Sequence, residues 1–267
     1  MCKLLFTKSV LCGLFLTAFS CIQASPVAPN EVSGLQFWFA PDENVLETES
    51  AFEWNDLATT GPFPAIQPTP DNQPQWKIQE SGVPILQFDG RNDYMHLEAI
   101  DLNLKNSLTL FIAFTLSDFS KDMALLDTKN VNSAQTGFYL ANRKANEAQA
   151  QGDRIQFGVK DENFSLQPQS LEWSAIPDVS PGDLMIMSVR LEADGLITMQ
   201  VGEVIVADRP LKEVTDISGE DSLHIGSNSR KQWFLDGGIS AIALYNRALS
   251  DNEIKSVFEY FQTTYAP

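Results

Sequence analysis

Residues Leu108 to Leu116 read LTLFIAFTL, a nearly continuous apolar run interrupted only by Thr109 and Thr115. Nine residues rich in β-branched and aromatic side chains, with no polar face at period two, fit a central β-strand covered on both sides. Shorter strand patterns surround it. Gly34 to Phe39, Ile85 to Phe88, Tyr94 to Leu97, Gly137 to Leu140, Arg154 to Val159, Leu184 to Leu191, Leu223 to Ile225 and Ile239 to Tyr245 each combine hydrophobic and β-branched residues between turn formers. Leu196 to Val201 and Val204 to Val206 flank Gly202-Glu203, the signature of a tight hairpin. Many short strands and almost no helix predict an all-β fold, a two-sheet antiparallel jellyroll sandwich.

One helix is predicted, at the C-terminus. Ser250 with Glu253 three residues later forms a capping box. Ile254, Val257, Phe258 and Phe261 then recur at i, i+3, i+4 and i+7, a single apolar stripe for packing on the sandwich. The polar face lacks the Lys and Arg that would hold such a helix on a membrane. Thr59 to Gln75, with five prolines, and Asn142 to Asp153 read as long loops.

The chain has 267 residues, 43% of them hydrophobic and 20% charged, enough apolar material for a proper core. Its first 24 residues read as an export signal: Lys3 and Lys8, then the apolar run Val10 to Phe19, then small residues at Ser20 and Ala24. Thr17 to Cys21 also fits a permissive lipobox, in which Cys21 would carry a lipid anchor and provide the one membrane contact. The expected location is therefore outside the cytoplasm: secreted, periplasmic or on the outer surface. Residues 25–30 (SPVAPN) read as a linker, and residues 31–267 as the jellyroll domain. All three cysteines, Cys2, Cys12 and Cys21, precede the linker, so the exported part has no disulfide and no thiolate chemistry. Without residues 1–24 it holds 16 basic and 35 acidic residues, a net charge of −19. Such a surface excludes nucleic acid as a partner and keeps an exported protein soluble.

Catalytic constellations are missing from the sequence. Glycan hydrolysis needs two carboxylates at a set separation, and no strand carries them on one face. The acidic clusters Asp42 to Glu49 and Asp161-Glu162 sit in turn-like sequence. His96 and His224 both fall within strands and read as framework residues, without the clustering a zinc site requires. No serine sits in a nucleophile elbow. Asp89-Gly90-Arg91-Asn92-Asp93 gathers side-chain oxygens around a tight turn, which suits calcium through Asp89, Asn92 and Asp93. The same residues are also what a β-turn requires for its own backbone. Sugar recognition needs aromatic faces beside polar groups. Trp38 and Trp54 read as core, whereas Trp76, Trp173 and Trp233 lie in or beside loops. Trp233 follows the basic loop Asn228 to Gln232, which adds Arg230 to the candidates.

Five segments together, in order, resemble the laminin-G-like jellyroll family, within the concanavalin A-like lectin and glucanase superfamily. These are Trp54-Asn55-Asp56-Leu57, Gly82 to Tyr94 (GVPILQFDGRNDY), Gly202-Glu203-Val204, Leu223-His224-Ile225-Gly226, and Phe234 to Ile254 with its YNRALS core. The last strand carries Ser240-Ala241 where many relatives have an acidic residue. The resemblance implies a jellyroll used for carbohydrate or matrix recognition. With the catalytic residues missing, the expectation is a non-catalytic binder, with calcium as a possible helper ion. The alternatives are a glycan-degrading enzyme and a structural or adhesion subunit of the envelope.

Overall fold

The computed structural model describes residues 25–41, 53–58, 63–97, 102–128, 136–160, 166–208, 214, 216–217 and 222–266. The expected export signal with Cys21, and the acidic clusters Asp42 to Glu49 and Asp161-Glu162, lie outside the described residues.

The strands are β1 (Leu35–Phe39), β2 (Glu53–Trp54), β3 (Ala65–Ile66), β4 (Gln75–Ile78), β5 (Pro84–Asp89), β6 (Met95–Leu97), β7 (Leu108–Leu116) and β8 (Met123–Asp127). They continue with β9 (Gly137–Arg143), β10 (Arg154–Lys160), β11 (Leu166–Glu172), β12 (Met185–Leu191), β13 (Ile197–Val201), β14 (Val204–Asp208), β15 (Leu223–Ile225) and β16 (Asp236–Tyr245), and the chain closes with helix α1 (Asp251–Tyr265). All pairings are antiparallel. One sheet runs β14-β13-β12-β7-β16-β5-β4, with β1 also paired to β16; the other runs β11-β10-β9-β8-β15-β6-β3-β2. The all-β two-sheet sandwich with one C-terminal helix is as expected.

The apolar run of β7 is explained by what covers it. Leu108, Leu110, Ile112, Phe114 and Leu116 face the second sheet and join the main core. Phe111 and Ala113 face the other way, into a second apolar cluster with Trp38, Ala243, Tyr245, Val257, Phe258 and Phe261. Helix α1 therefore roofs the first sheet with the stripe read from sequence. Its capping box forms as predicted, the Ser250 hydroxyl accepting from the Glu253 amide while the Glu253 carboxylate accepts from Ser250. Arg247 pairs with Glu253 at 2.7 Å and, with the Ser250 hydrogen bonds, holds its carboxyl down at about 2. Residues 25–30, expected as a linker, dock on the helix and on β16: the Val27 amide donates to the Ser256 carbonyl of α1, and the Tyr245 hydroxyl of β16 donates to the Pro29 carbonyl.

The sequence motifs act as fasteners. Asp56 of the Trp54-Asn55-Asp56 motif accepts from the amides of Trp38, Ala58 and Phe63, tying β1 to the chain after β2. Trp54 buries its ring and donates to the Ala40 carbonyl at 2.9 Å. Ser240 sits fully buried at a register shift of β16 and accepts from the Gln79 amide. Two strands interrupt the regions expected to be loops: β3 lies within Thr59 to Gln75, and β9 runs on to Arg143.

Candidate functional site

The second sheet is apolar towards the core and polar on its outer face. Cross-strand pairing places one row of residues across that face: Ile66, His96, His224, Asp127, Tyr139, Gly158 and Pro168. Six strand spacings make the row about 29 Å long. Gly158 leaves the space that the Tyr139 ring fills, since a Cβ there would lie 2.2 Å from that ring. The Tyr139 hydroxyl donates to Gln156 at 2.7 Å, and the Gln156 amide donates to Ser170 at 2.9 Å. Burial pushes the Tyr139 phenol up to about 12 even though Arg143 and Arg154 pull the other way.

A folded loop overhangs this row. Within Ser227 to Phe234, the Asn228 side chain accepts from the amides of Arg230 and Gln232, and the Asp127 carboxylate accepts from the Ser229 amide. Lys231 and Trp233 both adopt positive φ, 55° and 54°, a conformation that L-residues hold only when their surroundings enforce it. The result is a fixed display. The Lys231 ammonium lies 5.1 Å above the Tyr94 ring, and the Arg143 guanidinium lies 4.3 Å from the centre of the Trp233 ring.

Beneath the loop, the rings of Tyr94, His96 and His224 stand together with centroids 6.1 to 6.3 Å apart. The two histidines expected to be unrelated are thus a cross-strand pair. Their adjacency comes from the pairing of β6 with β15, which links distant parts of the chain. Burial, together with His96 and Lys231, holds the His224 imidazole down at about 4. The folded protein therefore keeps it neutral where an unfolded chain takes up a proton near pH 6.5. The stabilisation is full above that pH and is lost as pH falls through 6.5 towards 4, by about 2–3 kcal/mol. Denaturant titrations between pH 8 and 4 should show this decline, and His224→Gln should flatten it; an unchanged slope in the variant would assign the decline to other groups.

The residues singled out from sequence divide by burial. Trp233 is half-buried and Arg230 exposed, both on the overhanging loop. Trp76 and Trp173 instead belong to the core, a correction to their reading as loop aromatics. Trp76 stands at an inward position of β4, edge-on to Trp54. Trp173 stacks on Phe119 at 4.4 Å and donates to Asn142. Asp89, Asn92 and Asp93 form the turn between β5 and β6. Asp89 accepts from the amides of Arg91 and Asn92, Asp93 accepts from the Asp89 amide, and the Asn92 side chain donates to Asp71 and Asn72. Asp71, Asp89 and Asp93 line a cleft of about 300 Å³. Among the described residues, no three His, Cys, Asp or Glu side chains are grouped to hold a metal ion. The turn's own hydrogen bonds account for all three residues.

A wider cleft, about 570 Å³, lies between α1 and strands β12 to β14. Its cations are already matched: Arg190 to Glu192 and Asp251, and Lys255 to Glu259.

No protein-family model matches the chain, and no curated protein matches it. Solved structures do. The binding domain of Paraclostridial Mosquitocidal Protein 1 is 13% identical with a TM-score of 0.62, over 85% of this chain and 52% of that one. The receptor binding domain of botulinum neurotoxin C/D mosaic serotype is 10% identical with a TM-score of 0.60, over 85% and 51%. The botulinum neurotoxin serotype D ligand binding domain in complex with N-acetylneuraminic acid is 13% identical with a TM-score of 0.55, over 85% and 50%. The chain spans about half the length of each. At such identities the likeness is one of fold, a β-sandwich.

Proposed function

We propose that the protein is an exported, non-catalytic recognition domain that binds carbohydrate, carried free or on a cell-surface or matrix partner, at the outer face of its second sheet. The observation that carries this reading is the row from His96 to Gly158 beneath the Trp233 loop. It sets the partly exposed His96 imidazole, Tyr139 phenol and Trp233 indole on one face, beside the buried His224, Asp127 and Gln156, a mixture of apolar rings and directed polar groups of the kind that sugars require. Three things support it: the laminin-G-like motifs, the missing catalytic constellation, and a fold shared with binding domains, one of which was solved with a sugar acid. Fold alone does not carry function, so the site must be tested directly.

A glycan array probed with the chain from Ser25 onward, with calcium and with chelator, tests the reading. Selective glycan binding is the expected result. Chelator-sensitive binding would bring calcium into the proposal, through the turn at Asp89 to Asp93; insensitive binding would remove it. Product release from a polysaccharide panel, abolished by one carboxylate substitution, would instead establish an enzyme. Binding to a protein partner and to no glycan would favour an adhesion subunit. Trp233→Ala should weaken glycan binding about tenfold or more while leaving the thermal midpoint close to that of the parent; unchanged affinity would move the site away from this loop. Export and anchoring are tested by fractionation: Cys21→Ser should release the protein from the membrane fraction if Cys21 carries the anchor, and should change nothing if the protein is secreted free.

A further inference from the structure

Two arginines, Arg143 on β9 and Arg154 on β10, stand directly opposite each other across the outer face of the second sheet. Like charges in that relation repel. Arg143 is half-buried, paired with Asp122 at 2.9 Å and covered by the Trp233 ring. Arg154 is only 6% exposed. One of its terminal nitrogens donates to the carbonyls of Lys144 and Gly152, its Nε has no acceptor, and no carboxylate pairs with it among the described residues. Its other cross-strand neighbour, Glu172, is turned to the Gly152 amide instead. A buried cation left without a counter-charge is costly, and this one occurs in a chain with almost twice as many acidic as basic residues. Arg230 and Lys231 add two exposed cations on the loop that carries Trp233.

Resting on the recognition reading above, we propose that the ligand is an anionic glycan whose carboxylate or sulfate is held by the Arg143–Arg154 pair beside Trp233. The guanidinium fork suits both groups, which it meets with paired N–H donors. A chain of net negative charge repels such a ligand at long range, so a local cation pair is what admits it.

Matched oligosaccharides decide the matter: oligogalacturonate against its methyl ester for the carboxylate, and chondroitin with and without sulfate for the sulfate. In at least one pair, the member that carries the tested group should bind about tenfold tighter or more, and the pair that discriminates identifies the group. Arg143→Gln should abolish the preference, with Arg143→Lys restoring part of it. Arg154→Gln should do the same; if it fails to fold, the Arg143 variants, on a half-exposed side chain, still decide. Equal affinity within both pairs, or a preference that survives Arg143→Gln, overturns this inference and leaves carbohydrate recognition standing. Failure to bind any member of either pair, together with a blank glycan array, overturns both.

Discussion

Phe261→Ala should lower the unfolding free energy by about 3–5 kcal/mol. Phe261 is fully buried on the inner stripe of α1, with its ring 5.7 Å from Phe111 of β7 and 5.1 Å from Tyr265. Truncation removes the transfer energy of the ring and leaves a cavity between helix and sheet. Neither wall can close it readily, because β7 is fixed between β12 and β16 and the helix is pinned by its capping box. The check is the denaturant midpoint at constant slope. A loss under 1 kcal/mol would mean that the helix contributes little to holding the first sheet.

Gly237→Ala should be as damaging for a different reason. A Cβ at Gly237 would lie 2.2 Å from the Thr115 carbonyl oxygen of β7. The obstacle is backbone, and β16 is held between β7 and β5 at this point, so the clash has no flexible side chain to absorb it. A loss of about 3 kcal/mol or more is expected, at the upper end of overpacking. Gly82→Ala is the control. It also has positive φ, 85°, but a Cβ there meets nothing within 4 Å. Only the backbone cost of about 1–2 kcal/mol should appear. Equal losses in the two variants would show that conformation, and not the close approach of two strands, makes Gly237 necessary.

How far the sequence discloses this fold depends on whether a signal is local. The two-sided burial of β7, the hairpin at Gly202 and the capping box at Ser250 are local patterns, and each appears where it was expected. Strand β8 (Met123–Asp127) escapes the pattern because its apolar run is only four residues long, without alternation, and does not declare its period. Strand β11 was missed because Pro168 argues against a strand, although an edge strand tolerates it. The site was less legible still. His96 and His224 each looked like an isolated strand residue, and Arg143 and Arg154 gave no sign of facing each other, because register between distant segments sets both pairings. Trp76 and Trp173 looked available because turn formers flank them. Proximity to a turn says nothing about which side of the strand a ring occupies, and both rings point into the core. Trp233 lies on the surface loop where the basic sequence before it suggested.

The docking of Val27 on α1 and of Pro29 on β16 fixes where the polypeptide leaves the sandwich. Ser25 departs from the helix-covered side, and the row of His96, His224 and Tyr139 lies on the opposite side, with both sheets between them. Any chain or anchor upstream of Ser25 therefore pulls on the molecule's back. A protein held in that way presents its polar face outward, and crowding at the point of attachment does not shade the face proposed to meet a ligand.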